Sequence, residues 1–324
     1  MSGIYNDSFI SFLKENLKDN VKITGSNIIC RCPWCEINKN KKHYHLYISL
    51  EAPIFRCFHS DCQEKGTVRK LVTKICGIDN SKEFVDEEKI KQNIKRRIVQ
   101  TKIKCDKEIF LPELKEDLFI NKTLYMKKRI GFSNIPLSNF KGLIFDINEF
   151  LDKNNISNLK IDRLKDFLHS NFIGFLTENK SCIVFRNLDQ SSDFRYFKYK
   201  IHETKFLDYY KIQGNYNSNT IVLSEGIFDI IIEQINNTIN SKSNCLLYAA
   251  GLSSAYESLI KSIIFHEQIF RPDVIILSDL DVNINYYKRI KSKNNYIINS
   301  LTLYYNSVGK DFGELNVIPK KIVL

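Results

Sequence analysis

The amino-acid sequence predicts a multidomain protein that combines the α/β and α+β classes. Three observations along its 324 residues lead to this prediction. Four cysteines with metal-ligand spacing stand near the start, a stretch of mixed helical and extended patterns follows, and strands alternate with helices after Gly214. The chain exceeds the usual single-domain length and 43% of its residues are hydrophobic, so we expect two or three domains.

The first hundred residues predict two short helices around a hairpin. Apolar residues recur at helical spacing from Asp7 to Lys18, which indicates an amphipathic helix. Between His43 and Phe58 the pattern becomes extended and is interrupted by a proline, as in a hairpin. A second helix is predicted from Thr67 to Cys76, where Gly77 ends it.

The cysteines near the hairpin have the spacing of a zinc site. Cys32 and Cys35 form one half of a tetrahedral thiolate site, and the hairpin brings Cys57 and Cys62 round as the other half. Four protein ligands leave no open position, so the predicted zinc ion is structural and supplies folding free energy. Because Cys57 and Cys62 are separated by four residues instead of two, His59 is an alternative fourth ligand. Buried or incidental cysteines are the competing interpretation.

Aromatic and basic side chains interleave around these cysteines, with Trp34 and Arg56 among them. This composition suits the stacking of single-stranded bases and the neutralisation of phosphates. Several of the aromatic rings are instead needed for the small core of the hairpin itself.

The composition divides the chain into four predicted segments. We expect a zinc-ribbon β-hairpin domain over 1–80, a basic linker over 81–108, a mixed α+β basic lobe over 109–218 and a parallel α/β sheet over 219–324. The linker is interpreted as a solvated tether, with a DNA-contact strip as the alternative.

The last segment alternates between strand and helix patterns, which implies parallel strands with helices on both faces. Strands are predicted at 220–223, 245–249, 274–277 and 296–304, and helices at 227–235, 253–265 and 283–291.

Acidic residues follow the strands of this predicted sheet. Glu225 comes directly after one strand, and Asp279 and Asp281 come after another. Ligands of open parallel sheets bind beyond the carboxyl ends of the strands, where these acids converge. Crowded carboxylates repel one another, so a magnesium ion is their natural partner. Asp229 lies one helical turn after Glu225, and Asp311 can add to a second metal position. Helix capping is the alternative role for each acid.

Taken together, these motifs resemble those of the bacterial and bacteriophage DNA primases that carry an N-terminal zinc-binding domain and a Toprim catalytic domain. The resemblance spans most of the chain and extends to the basic segments at 125–131 and 183–187. It is carried by Cys32-Pro33-Trp34-Cys35, Phe55-Arg56-Cys57-Phe58, Glu225-Gly226-x-x-Asp229, the Ala249–Ser253 turn, Asp279-x-Asp281 and Gly309-Lys310-Asp311.

The resemblance implies a DNA-directed RNA polymerase that joins NTPs into short RNA primers on a single-stranded DNA template. It implies a Toprim-like parallel sheet and a separate replicative helicase as partner. Catalytic roles fall on Glu225, Asp229, Asp279, Asp281 and Asp311. Catalytic Mg²⁺ or Mn²⁺ would be held by Glu225, Asp279 and Asp281. Contacts to nucleic acid or NTPs fall on Trp34, Arg56, Lys128, Arg129, Arg186, Arg195, Lys198 and Lys310.

The net charge and hydropathy of the chain are compatible with a nucleic-acid enzyme, but other classes of protein share them. The net charge of +11 and a pI near 9.0 favour a polyanionic partner, although basic proteins without nucleic acid are common. No signal-peptide or membrane-span pattern is apparent, so we expect a cytoplasmic protein without membrane contact, in the host cytoplasm if phage-encoded.

Two other functions remain compatible with the sequence. A Toprim nuclease or topoisomerase fragment would share the acidic residues, and a nuclease would cut DNA without using NTPs. A non-catalytic, zinc-dependent single-stranded DNA-binding protein would keep its function when Asp279 and Asp281 are replaced by Ala.

Overall fold

The computed structural model describes residues 3–17, 21–35, 44–59, 62–100, 108–252, 255–279 and 283–324. The chain forms two compact units, 1–100 and 101–324, which are described separately. Within the described residues, no helix is both long enough and apolar enough to cross a membrane.

The first unit is an antiparallel sheet of five strands in sequential order, flanked by helices. The predicted hairpin and both predicted helices are present. The elements are α1 (Asp7–Leu17), β1 (Lys22–Thr24), β2 (Asn27–Cys30), β3 (Leu46–Ser49), β4 (Ile54–Cys57), β5 (Lys65–Thr67), α2 (Val68–Cys76) and α3 (Glu87–Gln100).

Local chemistry fixes the ends of α2. The Thr67 side chain accepts a hydrogen bond from the backbone N–H of Lys70, which satisfies one of the free donors of the first turn. Gly77 ends the helix with a φ of 77°, a conformation that glycine adopts without steric cost. Leu71 and Val72 are buried, so the helix covers one face of the small core.

The segment predicted as a solvated linker, 81–108, is largely structured. Ser81–Phe84 form a 3₁₀ turn, and α3 follows within the first unit. The Phe84 ring lies 5.5 Å from that of Phe9 on α1, and Ile90 is fully buried. The prediction was wrong over this part because the many lysines of α3 concealed a few apolar residues that face the core. Residues 101–107 lie outside the described residues.

The second unit begins with a four-stranded antiparallel sheet and three helices, as the mixed pattern predicted. The 3₁₀ turn Leu137–Asn139 precedes the first strand. The elements are α4 (Ile120–Arg129), β6 (Leu143–Ile144), α5 (Ile147–Lys153), α6 (Leu159–Asn171), β7 (Phe172–Leu176), β8 (Cys182–Asn187) and β9 (Tyr196–Lys200).

A six-stranded sheet in the order β10-β12-β11-β13-β14-β15 completes the second unit. The four central strands are parallel, as predicted, whereas β10 and β15 pair antiparallel at the two edges. The elements are β10 (Tyr210–Gln213), β11 (Thr220–Ser224), α7 (Ile227–Asn236), β12 (Leu247–Ala250), α8 (Tyr256–His266), β13 (Asp273–Ser278), α9 (Ile284–Asn294), β14 (Ser300–Asn306) and β15 (Pro319–Val323).

The two sheets of the second unit share one hydrophobic core. Phe228 of α7 packs edge-on against Tyr125 of α4 and Phe175 of β7, with ring centroids 6.1 and 5.9 Å apart. The predicted boundary between the basic lobe and the α/β sheet is at residue 218. Strand β10 comes before this boundary in the chain, but it pairs with β12 of the six-stranded sheet. The lobe and the α/β sheet are therefore packed together, which fixes the geometry of the cleft between them.

Candidate metal centres and active-site cleft

The four cysteines predicted as zinc ligands come together in the first unit. Their sulfur atoms all lie within 4.8 Å of one another. The Sγ atoms of Cys32 and Cys62 are 3.8 Å apart, and those of Cys35 and Cys57 are 3.6 Å apart. In a tetrahedral thiolate site with Zn–S bonds of ~2.3 Å, neighbouring sulfur atoms lie about 3.8 Å apart. The cluster can therefore hold a zinc ion with little rearrangement.

Cys62 completes the tetrad because the chain turns back after β4. The backbone N–H groups of Cys62 and Gln63 donate to the carbonyl of His59, at 3.2 and 3.1 Å. This turn returns the Cys62 thiol to the cluster, while the His59 ring makes an edge contact with His45 at 5.2 Å. The geometry favours Cys62 over His59 as the fourth ligand.

Burial controls the protonation of these thiols in the absence of metal. It raises the pKa of Cys32 to about 12, above the value of an ordinary thiol. Cys30, two residues earlier on β2, is fully buried outside the cluster, and its pKa is also raised to about 12 by burial. Metal binding must therefore displace thiol protons, which makes the metal affinity of the tetrad depend on pH.

One face of the first sheet carries a row of basic and aromatic side chains. Residues directly opposite one another on antiparallel strands share a face. The strand register places in one row Lys22, Ile29, Tyr47, Arg56 and Lys65. We call this row, together with Phe58, the basic-aromatic face.

The exposed ring of Phe58 contacts two other residues of this face. The Arg56 guanidinium lies 5.0 Å from the centroid of Phe58, and Tyr47 meets the same ring edge-on at 5.1 Å. Phe58 is nevertheless 58% exposed, so part of its ring is open to solvent. Trp34, in contrast, stacks at 5.0 Å on Phe55, whose side chain is buried.

A cleft of about 640 Å³ opens in the second unit, between the carboxyl ends of the parallel strands and the sheet of the basic lobe. Most of the predicted catalytic and nucleotide-binding residues line this cleft. Its acidic lining comprises Glu225, Asp229, Asp279, Asp311 and Glu314, and its basic lining comprises Arg129, Arg186, Arg195, Lys198 and Lys310.

Three predicted residues lie elsewhere, and one is outside the structure. Trp34 and Arg56 belong to the first unit, and Lys128 is exposed on α4 and is not among the described lining residues. Asp281 lies outside the described residues. Sequence reasoning missed Glu314, although the Gly309-Lys310-Asp311 motif ends only three residues before it.

The turn between β11 and α7 fixes the first two acids. Glu225 follows β11 directly, and the backbone N–H of Gly226 donates to Oδ2 of Asp229 at 2.9 Å. Ser224 Oγ donates to the Gly226 carbonyl at 2.6 Å. A Cβ atom on Gly226 would lie 2.8 Å from Asp229 Oδ2, so a larger residue here would displace the Asp229 carboxylate. Asp229 is therefore both a helix-capping residue and part of the cleft.

The loop after β14 brings the next acid to the same place. The backbone N–H of Gly313 donates to Asp311 Oδ1 at 2.9 Å. A Cβ atom on Gly313 would lie 2.9 Å from Asp229 Oδ1 and 3.2 Å from Asp311 Oδ1. The two carboxylates thus border the same small space, although they stand 82 positions apart in the chain.

Arg129 ties this loop to the basic lobe. Its Nη2 donates to the Gly313 carbonyl at 3.2 Å, and its guanidinium lies 4.4 Å from the centroid of Phe228. The same guanidinium partly offsets the negative charge near Asp229. These contacts give Arg129 a part in holding the acidic loop, in addition to its predicted role towards nucleotides.

The electrostatics of the cleft explain why it suits a cation. Asp229 is 8% exposed, and the pKa of its carboxyl group is raised to about 8, mainly by burial. The charges of Asp311 and Asp279 contribute to this rise, while the Gly226 N–H and Arg129 oppose it. Ionising all of these acids together is unfavourable without a counter-charge, and oxygen ligands are what Mg²⁺ requires. The acidic lining is therefore a candidate site for a divalent cation.

The opposite wall of the cleft is basic and aromatic. Arg186 on β8 is 7% exposed, donates from Nε to the Tyr125 hydroxyl at 3.0 Å, and lies 4.3 Å from the Tyr196 ring centroid. Lys198 follows two residues later than Tyr196 on β9 and is exposed. A rigid guanidinium beside an aromatic face is suited to binding phosphate or a nucleobase.

A further cluster of possible metal ligands comprises Glu178, His266 and Glu267. The ammonium group of Lys211 lies 2.6 Å from Glu178 and 3.0 Å from Glu267. Because this cation already pairs with both carboxylates, we interpret the cluster as an ion-pair network between the lobe and α8.

A comparison with models of known protein families and with curated proteins returns no match to this chain.

The cysteine tetrad makes a direct prediction about metal content. The purified protein should contain one zinc ion per chain, and Cys62→Ser should lower this content strongly because it removes a ligand. His59→Ala, the matched control, should retain zinc. Metal analysis after gel filtration measures both. Loss of zinc from the His59 variant, with retention in the Cys62 variant, would contradict the assignment.

Asp229 predicts a pH dependence of stability. Its folded-state pKa of about 8 lies above its ordinary value, so its stabilising contribution is present at low pH and is lost as the pH rises through 8. Thermal unfolding without divalent cations should show a melting temperature that falls from pH 6 to pH 8.5. Asp229→Asn should remove most of that fall, and added Mg²⁺ should reduce it in the wild type. An unchanged pH profile in the variant would contradict the argument.

Proposed function

We propose that this chain is a DNA primase, a DNA-directed RNA polymerase that makes short RNA primers on single-stranded DNA. The observation that carries the proposal is the cleft, where acids that suit a divalent cation face arginines and lysines that suit phosphate. Nucleotidyl transfer needs both, since the triphosphate is anionic and its reaction accumulates further negative charge. Three of the motifs that resemble those of primases contribute residues to this lining: Glu225-Gly226-x-x-Asp229, Asp279-x-Asp281 and Gly309-Lys310-Asp311.

Each wall of the cleft has a role in the proposed reaction. Glu225, Asp279 and Asp281 would hold Mg²⁺ or Mn²⁺, which would supply positive charge for the α-phosphate and for the departing pyrophosphate. Asp229 and Asp311 complete the acidic wall, and Glu225 can also accept the proton of the attacking 3′-hydroxyl. Arg186, Arg195, Lys198 and Lys310 bind the triphosphate and the template strand.

The first unit supplies template binding in this proposal. The exposed Phe58 ring offers a base-stacking platform, and Lys22, Arg56 and Lys65 neutralise phosphates beside it. A structural zinc ion at the four cysteines holds the hairpin that presents this face. The zinc-bearing unit would then select where on the template synthesis begins, and a separate replicative helicase remains the predicted partner.

Primer synthesis can be tested directly. The zinc-loaded protein is incubated with varied single-stranded DNA templates, labelled NTPs and Mg²⁺ or Mn²⁺, and the products are resolved on a denaturing gel. We expect short, template-dependent RNA, and its loss by at least about 100-fold in Asp279→Ala because a cation ligand is removed. Template degradation would favour a nuclease. Template binding without RNA, even with helicase added, would favour a binding protein.

The basic-aromatic face predicts a separate binding defect. Replacing Arg56 and Phe58 together by Ala should weaken single-stranded DNA binding about tenfold, since it removes a stacking ring and a cation. Arg69→Ala is a matched control, because Arg69 carries the same charge on α2 of the same unit, where it pairs with Asp79. Fluorescence anisotropy of labelled DNA at several salt concentrations measures the effect. Equal weakening by both variants would mean that only net charge matters.

A further inference from the structure

A hydrogen bond joins the end of β13, directly before Asp279, to helix α9. Tyr287, in the first turn of α9, has its hydroxyl 3.0 Å from Ser278 Oγ at the end of β13. Ser278 immediately precedes Asp279, and the bond joins residues nine positions apart. Ser278 and Tyr287 are 4% and 6% exposed, so the contact is shielded from water. The bond therefore connects the end of β13 to the first turn of α9.

The direction of this bond follows from the count of protons. Ser278 Oγ donates to the carbonyl of Asp279 at 3.2 Å, which uses its only proton. Tyr287 must then donate its own proton to Ser278 Oγ. The result is a relay of two hydrogen bonds from the Tyr287 hydroxyl through Ser278 to the Asp279 carbonyl, which restricts the backbone that carries the Asp279 carboxylate.

The Tyr287 ring is itself held in place. It packs against Tyr256 of α8, which is 3% exposed, with ring centroids 5.8 Å apart. The first turn of α9 is fixed by Asn283, whose side chain accepts from the backbone N–H of Tyr286 at 3.2 Å. A buried tyrosine hydroxyl has few alternative partners, so the bond to Ser278 should persist.

The tyrosine hydroxyl also lies in the field of the acids. Burial raises the pKa of Tyr287, and the charges of Asp279 and Glu225 raise it further. The same acids act on Tyr256. Because its pKa is raised, the Tyr287 hydroxyl stays protonated at neutral pH and can donate its hydrogen bond to Ser278.

We propose that Tyr287 is a positioning residue that orients Asp279 through Ser278 and so sets the affinity of the cleft for its divalent cation. This inference rests on the cation site of the proposed function. Removing a hydrogen-bonding group that orients a metal ligand typically lowers metal affinity by about 10–100-fold.

Tyr287→Phe tests the proposal, because it deletes the hydroxyl and leaves the ring packed on Tyr256. Mn²⁺ binding to the zinc-loaded full-length chain is measured by electron paramagnetic resonance, with Asp279→Ala defining the signal of the cleft. We expect Tyr287→Phe to weaken that binding about tenfold. Tyr286→Phe, which removes a hydroxyl from the neighbouring residue, should leave it within about twofold.

Two further readouts separate positioning from general stability. Ser278→Ala should weaken Mn²⁺ binding, and the double variant should be no weaker than the worse of the single variants, since both remove one relay. In primer synthesis, Tyr287→Phe should raise the Mg²⁺ concentration needed for half-maximal rate and leave the KM for NTPs unchanged at saturating Mg²⁺. An effect on the melting temperature alone would overturn the proposal.

The outcomes distinguish this inference from the function on which it rests. If Asp279→Ala abolishes Mn²⁺ binding and Tyr287→Phe leaves it unchanged, the positioning role is wrong and the cation site stands. If Asp279→Ala leaves Mn²⁺ binding unchanged, Asp279 holds no cation and both proposals fail.

Discussion

Repulsion among carboxylates at the carboxyl end of the six-stranded sheet is the constraint on which the second unit depends. Asp229 arrives from α7 and Asp311 from the loop after β14, and a Cβ on Gly313 would lie within 3.2 Å of an oxygen of each. The protein offsets this repulsion with the Gly226 N–H, the Gly313 N–H and the Arg129 guanidinium. These partners shape a space that a divalent cation can occupy, and the small glycines are what allow the approach.

The first unit depends on a different source of order. Its sheet is small, and its cysteine tetrad lies where the hairpin ends meet, so a bound metal can replace the large core that the segment lacks. One consequence is that the outer face of the sheet is free to carry Phe58, Tyr47 and Arg56 instead of packing residues. The proposal therefore gives the two units separate roles, one in holding a cation and one in contacting a polyanion.

Much of this architecture was predictable because strong local patterns survive in the sequence. Apolar runs such as Ile221–Leu223 and Val274–Leu277 became central parallel strands, and the acids after them converged as the topology requires. Strands β10 and β15 were missed because they are short, polar and paired only at sheet edges. Helix α3 was missed because its lysines and arginines together outnumber the isoleucines, of which Ile90 and Ile98 are buried in the core.

Contacts distant in sequence were the least predictable. Nothing local in the sequence pairs Arg129 with Gly313, or Tyr287 with Ser278, since each contact depends on how whole elements pack. The helix-capping and metal-binding interpretations of Asp229 were treated as alternatives, whereas its two carboxylate oxygens let it cap α7 and border the cleft at once.

The central claim is that the acids of the cleft hold a divalent cation against a nucleoside triphosphate. Anomalous diffraction at the manganese edge, from crystals of the zinc-loaded protein grown with Mn²⁺ and a non-hydrolysable NTP, tests this most directly. The account predicts a manganese peak among Glu225, Asp279 and the neighbouring acids, with the triphosphate against Arg186 and Lys198. A triphosphate bound elsewhere, or a cleft without manganese at saturating concentration, would contradict it.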